Sequence, residues 1–123
     1  MIEGLLGYEP APAHLVGTGA AVGALLRHWI YTEIPGDEFP WPTLAVNVLG
    51  SFALGLLAFG GVDAAATQLL GVGLCGAFTT FSTFSVETVG LWERGERRAA
   101  TANAVGNLVC SLAGMGLAAV LVG

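Results

Sequence analysis

The stretch "CGAFTTFSTFSVE", residues 75–87, interleaves Thr79, Thr80, Ser82, Thr83 and Ser85 with Phe78, Phe81 and Phe84, and ends in Glu87. Two other polar sets recur every four residues, Thr43–Asn47–Ser51 and Asn103–Asn107–Ser111. On a helix, each set occupies one face. Amide N–H and hydroxyl O–H groups donate hydrogen bonds, and the rim of an aromatic ring is electropositive. Such groups can pass a small anion along without a trap deep enough to stop it. Phe81 and Phe84, three apart, adjoin on a helix face, with Ser82 and Thr83 between them. "GAFTT" also invites a helix interruption, whose freed carbonyls suit a cation and whose freed N–H groups suit an anion.

Each residue taken singly has a plainer role. An Asn or Ser in a membrane helix commonly bonds a neighbouring helix, worth about 1 kcal/mol, and Ser or Thr can bond back to its own helix. That suffices for Thr43, Ser51, Asn103 and Ser111 one at a time, and packing or lipid contact suffices for Phe39, Phe52 and Phe59. Two ladders plus the cluster together point to a polar path. Glu87, the acid nearest a span interior, reads as an interfacial salt-bridge partner or helix-end residue, and Arg27 as a structural base near a helix end. His14 and His28 fall at membrane edges. Cys75 and Cys110 lie in apolar spans and read as small buried hydrophobes, not as a disulfide or metal motif. No nucleophile–base pair, metal cluster or phosphate loop stands out, so an enzyme is not expected.

Apolar helices must carry these groups. Of the 123 residues, 54% are hydrophobic and 11% charged, with a mean hydropathy of +0.75; soluble domains carry about 25% charged residues. The net charge of −5 and the lack of lysine disfavour a nucleic-acid partner. Four stretches approach the roughly 20 residues that cross a bilayer as a helix, at about 14–31, 43–62, 64–91 and 99–122. They make residues 1–123 a single membrane domain, multi-pass in the cell membrane. The start, "MIEGLLGYEPAPA", lacks a basic region and carries prolines, so it does not read as a signal peptide. Gly19 and Gly23 form a G-x-x-x-G packing signal, and Gly106, Cys110, Gly114 and Ala118 form a small-residue stripe. With four crossings, all four arginines (Arg27, Arg94, Arg97 and Arg98) fall on the side of the 1–2 and 3–4 connections. That side is expected to be cytoplasmic, with both termini outside.

"GTGAAVGALLRHWI", "TLAVNVLGSFALG" and "GLCGAFTTFSTFSVE" together resemble the Fluc (CrcB) family of fluoride channels. The resemblance implies an all-α integral membrane fold with four transmembrane helices per subunit, the third broken, paired as an antiparallel dimer with two pores. It implies passive, fluoride-selective export that prevents cytoplasmic fluoride toxicity. By the same resemblance Asn47, Phe81, Ser82, Thr83 and Phe84 line the anion pore. The carbonyls of Gly76 and Thr79, at a break over Gly76–Thr79, hold a structural sodium ion shared by both subunits. Arg27 matches the first-helix arginine. In the fourth span Asn107 and Ser111 stand where the family often has a tyrosine and a serine. The alternative is a small multidrug-type antiporter, which needs an acid in the first span, where this chain has Arg27. The one-sided arginines favour a single insertion orientation, so the second subunit is either a copy of this chain or an oppositely oriented paralogue.

Overall fold

The computed structural model describes residues 11–123, and the opening segment of the chain, apart from its last residues, lies outside them. The described chain is all helical. Helix α1 spans Pro12–Glu33, with the proline at the first position, where no intrahelical N–H bond is lost. Helix α2 spans Trp41–Phe59 and ends at a glycine turn in which Gly61 has φ +69°. Asp63 then caps a short helix, α3 (Ala64–Ala66), by accepting the N–H of Ala66 at 2.8 Å. A nine-residue π-helical segment, π1 (Thr67–Cys75), follows and runs into the single turn α4 (Gly76–Phe78). Helix α5 is Phe81–Glu93 and α6 is Arg97–Val122, joined by a turn in which Gly95 has φ +83°.

Among the described residues, three helical stretches are long and apolar enough to cross a membrane: α2, Ala64–Glu93 taken through its interruption, and α6. The chain is therefore a multi-pass membrane protein. Helix α1 has the length, with 22 residues, but His14, Arg27, His28, Glu33 and its glycines dilute its apolarity, and it is not among the three. Both histidines are exposed, as their edge positions imply. Large apolar residues such as Leu108, Val109, Leu112 and Leu121 face outward, the expected surface where the solvent is lipid.

Close helix contacts follow the small residues. A methyl group added at Gly19 would collide with the Leu69 carbonyl oxygen, and one at Gly23 with that of Leu74. The G-x-x-x-G of α1 thus lets its backbone lie against the backbone of π1. The i→i+5 spiral of π1, rare at this length, is what α1 packs against. Between α2 and α6, a methyl added at Gly55 would stand 2.8 Å from the Ala118 side chain, and Val46 and Ala118 are fully buried. The small-residue stripe of α6 is only half used. Gly114 and Ala118 meet α2, whereas Gly106 has no neighbour there and Cys110 is exposed. A row of residues four apart drifts by ~40° per step around a helix of 3.6 residues per turn, so its early members leave the packed face. Cys75 is buried as expected, and Cys110 corrects that expectation.

Candidate functional site

The third span breaks at Thr79 and Thr80. Both adopt extended backbone, φ −80°, ψ 160° and φ −149°, ψ 118°, while Gly76 stays helical at φ −61°, ψ −38°. The interruption therefore sits at the end of the Gly76–Thr79 stretch and extends one residue beyond it. Thr80 caps α5, its Oγ1 accepting the N–H of Thr83 at 3.1 Å. Thr79 closes the preceding segment, its N–H and its hydroxyl each donating to the Cys75 carbonyl at 3.0 Å.

Asn47 repairs the break from the neighbouring helix. Its Oδ1 accepts the Thr80 N–H at 2.8 Å, and its Nδ2 donates to the Thr80 carbonyl at 3.2 Å. In an unbroken helix the Thr80 N–H would bond the Gly76 carbonyl four residues back, so Asn47 releases that carbonyl. Asn47 Nδ2 also donates to Asn107 Oδ1 at 2.9 Å. Asn107 Nδ2 in turn donates to the Asn103 carbonyl and Oδ1 at 2.8 and 3.0 Å, and Asn103 Nδ2 donates to Thr88 Oγ1 at 2.8 Å. The α2 and α6 ladders and the break form one amide chain. Asn103 and Asn107 are buried, and burial of amides is tolerable because each is bonded.

These groups border a groove of about 650 Å³ on the side of the bundle. Asn47, Ser51, Gly76, Thr79, Phe81, Phe84, Asn107 and Ser111 line it, together with apolar residues including Leu54 and Val72, and among the described residues no lining side chain is charged. The Phe81 and Phe84 rings lie 5.8 Å apart between centroids, inclined at 43°. Phe81 is 80% exposed, so the groove is open on that flank. Ser82 and Thr83 do not line it; Ser82 is exposed and Thr83 half-buried on the far side of the α5 turn. Arg27, half-buried near the end of α1, is also apart from it. Among the described residues no three His, Cys, Asp or Glu side chains gather as a metal site. A cation at the break would have backbone carbonyls, that of Gly76 among them, as its donors.

One turn along α2 from Asn47, the fully buried Thr43 donates its hydroxyl proton to Glu87 Oε1. Having one proton, it accepts from the Tyr31 hydroxyl, with which it is also paired. Glu87 is thus tied to a hydroxyl relay, which corrects its reading as a salt-bridge partner; the Arg94–Glu96 pair at 3.3 Å is an exposed ion pair at that end. Glu87 borders a second, more polar cavity with Asp37, Glu38, Arg94 and Glu96 at the same end of the bundle. Tyr31 escaped the sequence reading because a hydroxyl on the last turns of α1 carries no spacing signal. Thr88 had one, since it lies in register with Phe81, Phe84 and Glu87 on α5.

Residues 14–123 match the family described as CrcB-like protein, Camphor Resistance (CrcB). The chain belongs to the CrcB family. This family member is 61% identical over 106 residues to "Fluoride-specific ion channel FluC 2" of Haloarcula marismortui, covering 86% of the chain and 89% of the relative. It is 45% identical over 117 residues to "Fluoride-specific ion channel FluC 1" of Halobacterium salinarum, covering 95% of each. A third relative, "Fluoride-specific ion channel FluC" of Chelativorans sp., is 44% identical over 110 residues, covering 80% of this chain and 85% of the relative. Asn47, Phe81 and Phe84, three of the residues that the sequence resemblance singled out, line one groove.

Proposed function

We propose that this chain is a fluoride-selective channel that lets fluoride leave the cell passively down its electrochemical gradient. The observation that carries this reading is near full-length similarity to relatives named fluoride-specific ion channels, and the groove's chemistry supports it. An uncharged groove offers donors and ring edges but no fixed charge to trap an anion. The Asn47 amide makes two hydrogen bonds through Nδ2. A passing fluoride would substitute for the Asn107 Oδ1 acceptor, leaving the bonds to Thr80 in place. Ser111 and Ser51 extend the donors along the groove and Phe81 and Phe84 present their rims, whereas Ser82 and Thr83, which do not line it, have no part in the proposed path. No proton-exchanging carboxylate lines the groove, which accords with a passive channel and not with an antiporter.

Four crossings and a dimer complete the proposal. Helix α1 crosses with the other three, its apolarity supplemented by its contact with π1. The open flank at Phe81 would leave amides and hydroxyls facing lipid, which is costly, so a second, inverted subunit covers it. That subunit is a copy of this chain or an oppositely oriented paralogue. Gly76 and Thr79 would contribute carbonyls from each subunit to a structural sodium ion on the shared axis; oxygen donors fit a hard cation. Sodium supplies charge there and moves no proton. Arg27 remains structural. The test is growth of a fluoride-sensitive host without its own exporter. Expression of this chain should restore growth in millimolar fluoride, and Asn47→Ala should not. Equal sensitivity with and without the membrane-inserted chain would overturn the reading, unless co-expressed paralogue restores growth.

A further inference from the structure

At the end of the bundle where α5 meets α6, a groove of about 580 Å³ is lined by Trp92, Arg97, Arg98, Thr101, Ala102 and Val105. In a chain of net charge −5 with four basic residues, two of the arginines line this one groove and, among the described residues, no acid lines it. The Arg97 guanidinium lies 4.9 Å from the centre of the Trp92 ring, a cation–π contact that holds one arginine in place. The level of the groove in the membrane is set by tryptophans. Trp29, Trp41 and Trp92 are 57%, 55% and 50% exposed and sit at the end of α1, the start of α2 and the end of α5, the same end of the bundle. Exposed tryptophans mark the headgroup level. Below the arginines the groove continues over Ala102 and the half-exposed Val105, onto the outward apolar side of α6. A polar, positive top and an apolar floor match one amphiphile.

We propose that this groove binds the headgroup of an anionic phospholipid, its phosphate against Arg97 and Arg98 and its chain along Ala102 and Val105. Residues two apart point to nearly opposite sides of a helix, so Thr101 and Val105 are turned away from Asn103 and Asn107, the amides of the candidate ion path. The lipid site and the groove at Asn47 are therefore separate, and the inference depends only on membrane insertion. Glu93 and Glu96 lie close in sequence but do not line the groove, and Glu96 is engaged by Arg94.

The test is native mass spectrometry of the full chain released from bilayers of equal phosphatidylglycerol and phosphatidylcholine. Phosphatidylglycerol should be retained in roughly thirtyfold excess, the scale of two arginines near a headgroup. Arg97→Gln with Arg98→Gln should abolish the excess, Arg97→Lys with Arg98→Lys should keep most of it, and Arg94→Gln should leave it intact. In the unaltered chain the excess should shrink as salt is raised during lipid exchange. No excess, an excess that survives the double glutamine change, or one indifferent to salt would overturn the proposal. Displacement of the lipid by millimolar inorganic phosphate would also overturn it, showing a free-phosphate site instead.

Discussion

Asn47 holds the break and faces the groove with the same amide, so its removal has two separable effects. Asn47→Ala strips the partners from the Thr80 N–H and C=O and from Asn107 Oδ1. Leaving buried polar groups unpaired costs about 1–3 kcal/mol, readable as a lower denaturation midpoint in detergent, and fluoride flux should fall at least as far as the donor's loss implies. Phe81→Ile should separate the two. The ring is largely exposed in the protomer, so stability should hold while flux drops because the electropositive rim is gone. If Phe81→Ile conducts like the unaltered chain, ring edges play no part in passage. The residue types at the site were legible in the sequence because asparagines and hydroxyls in apolar helices stand out. The bond from Asn47 to Thr80 was not, since the two are 33 residues apart and only the fold brings them together.

At the scale of elements, a broken third span and helices near the expected bounds followed from apolar length, proline and glycine. The site of the break moved toward Thr80 because a Thr side chain that accepts the N–H of Thr83 makes a better helix start than a glycine. Thr80→Val should remove that cap and lower stability by about 1 kcal/mol; an unchanged midpoint would show that Asn47 alone holds the break. The π1 segment left no trace in hydrophobic periodicity, because its register is set by the glycine backbone contact with α1. Gly19→Val should push α1 off the Leu69 carbonyl and destabilise the fold by about 3 kcal/mol, the upper range for overpacking. Gly106→Val, with open space around it, is the matched control and should leave the midpoint where it was.

For the whole molecule, the proposal is that a second subunit covers the groove's open flank and shares a sodium ion with the first. Replacing sodium with a bulky organic cation during purification should lower the dimer fraction seen by light scattering; an unchanged fraction would count against the shared ion. Orientation can be read by labelling single cysteines placed at Asp63 and Glu96 in a background with Cys75 and Cys110 replaced. One-sided arginines are expected to give one dominant orientation, which requires a paralogue for an inverted pair. Equal labelling of both orientations would instead give a homodimer. Neither outcome was legible in the sequence beyond its charge bias, because inversion is a property of two chains and a membrane.

The most direct measurement is anion efflux from liposomes holding the purified chain, followed with fluoride and chloride electrodes, alone and with a co-reconstituted paralogue. Rapid fluoride release with chloride retained, abolished by Asn47→Ala, is the expected result. Chloride release at a comparable rate, or no fluoride release from folded protein in either preparation, would contradict a fluoride channel built on this groove.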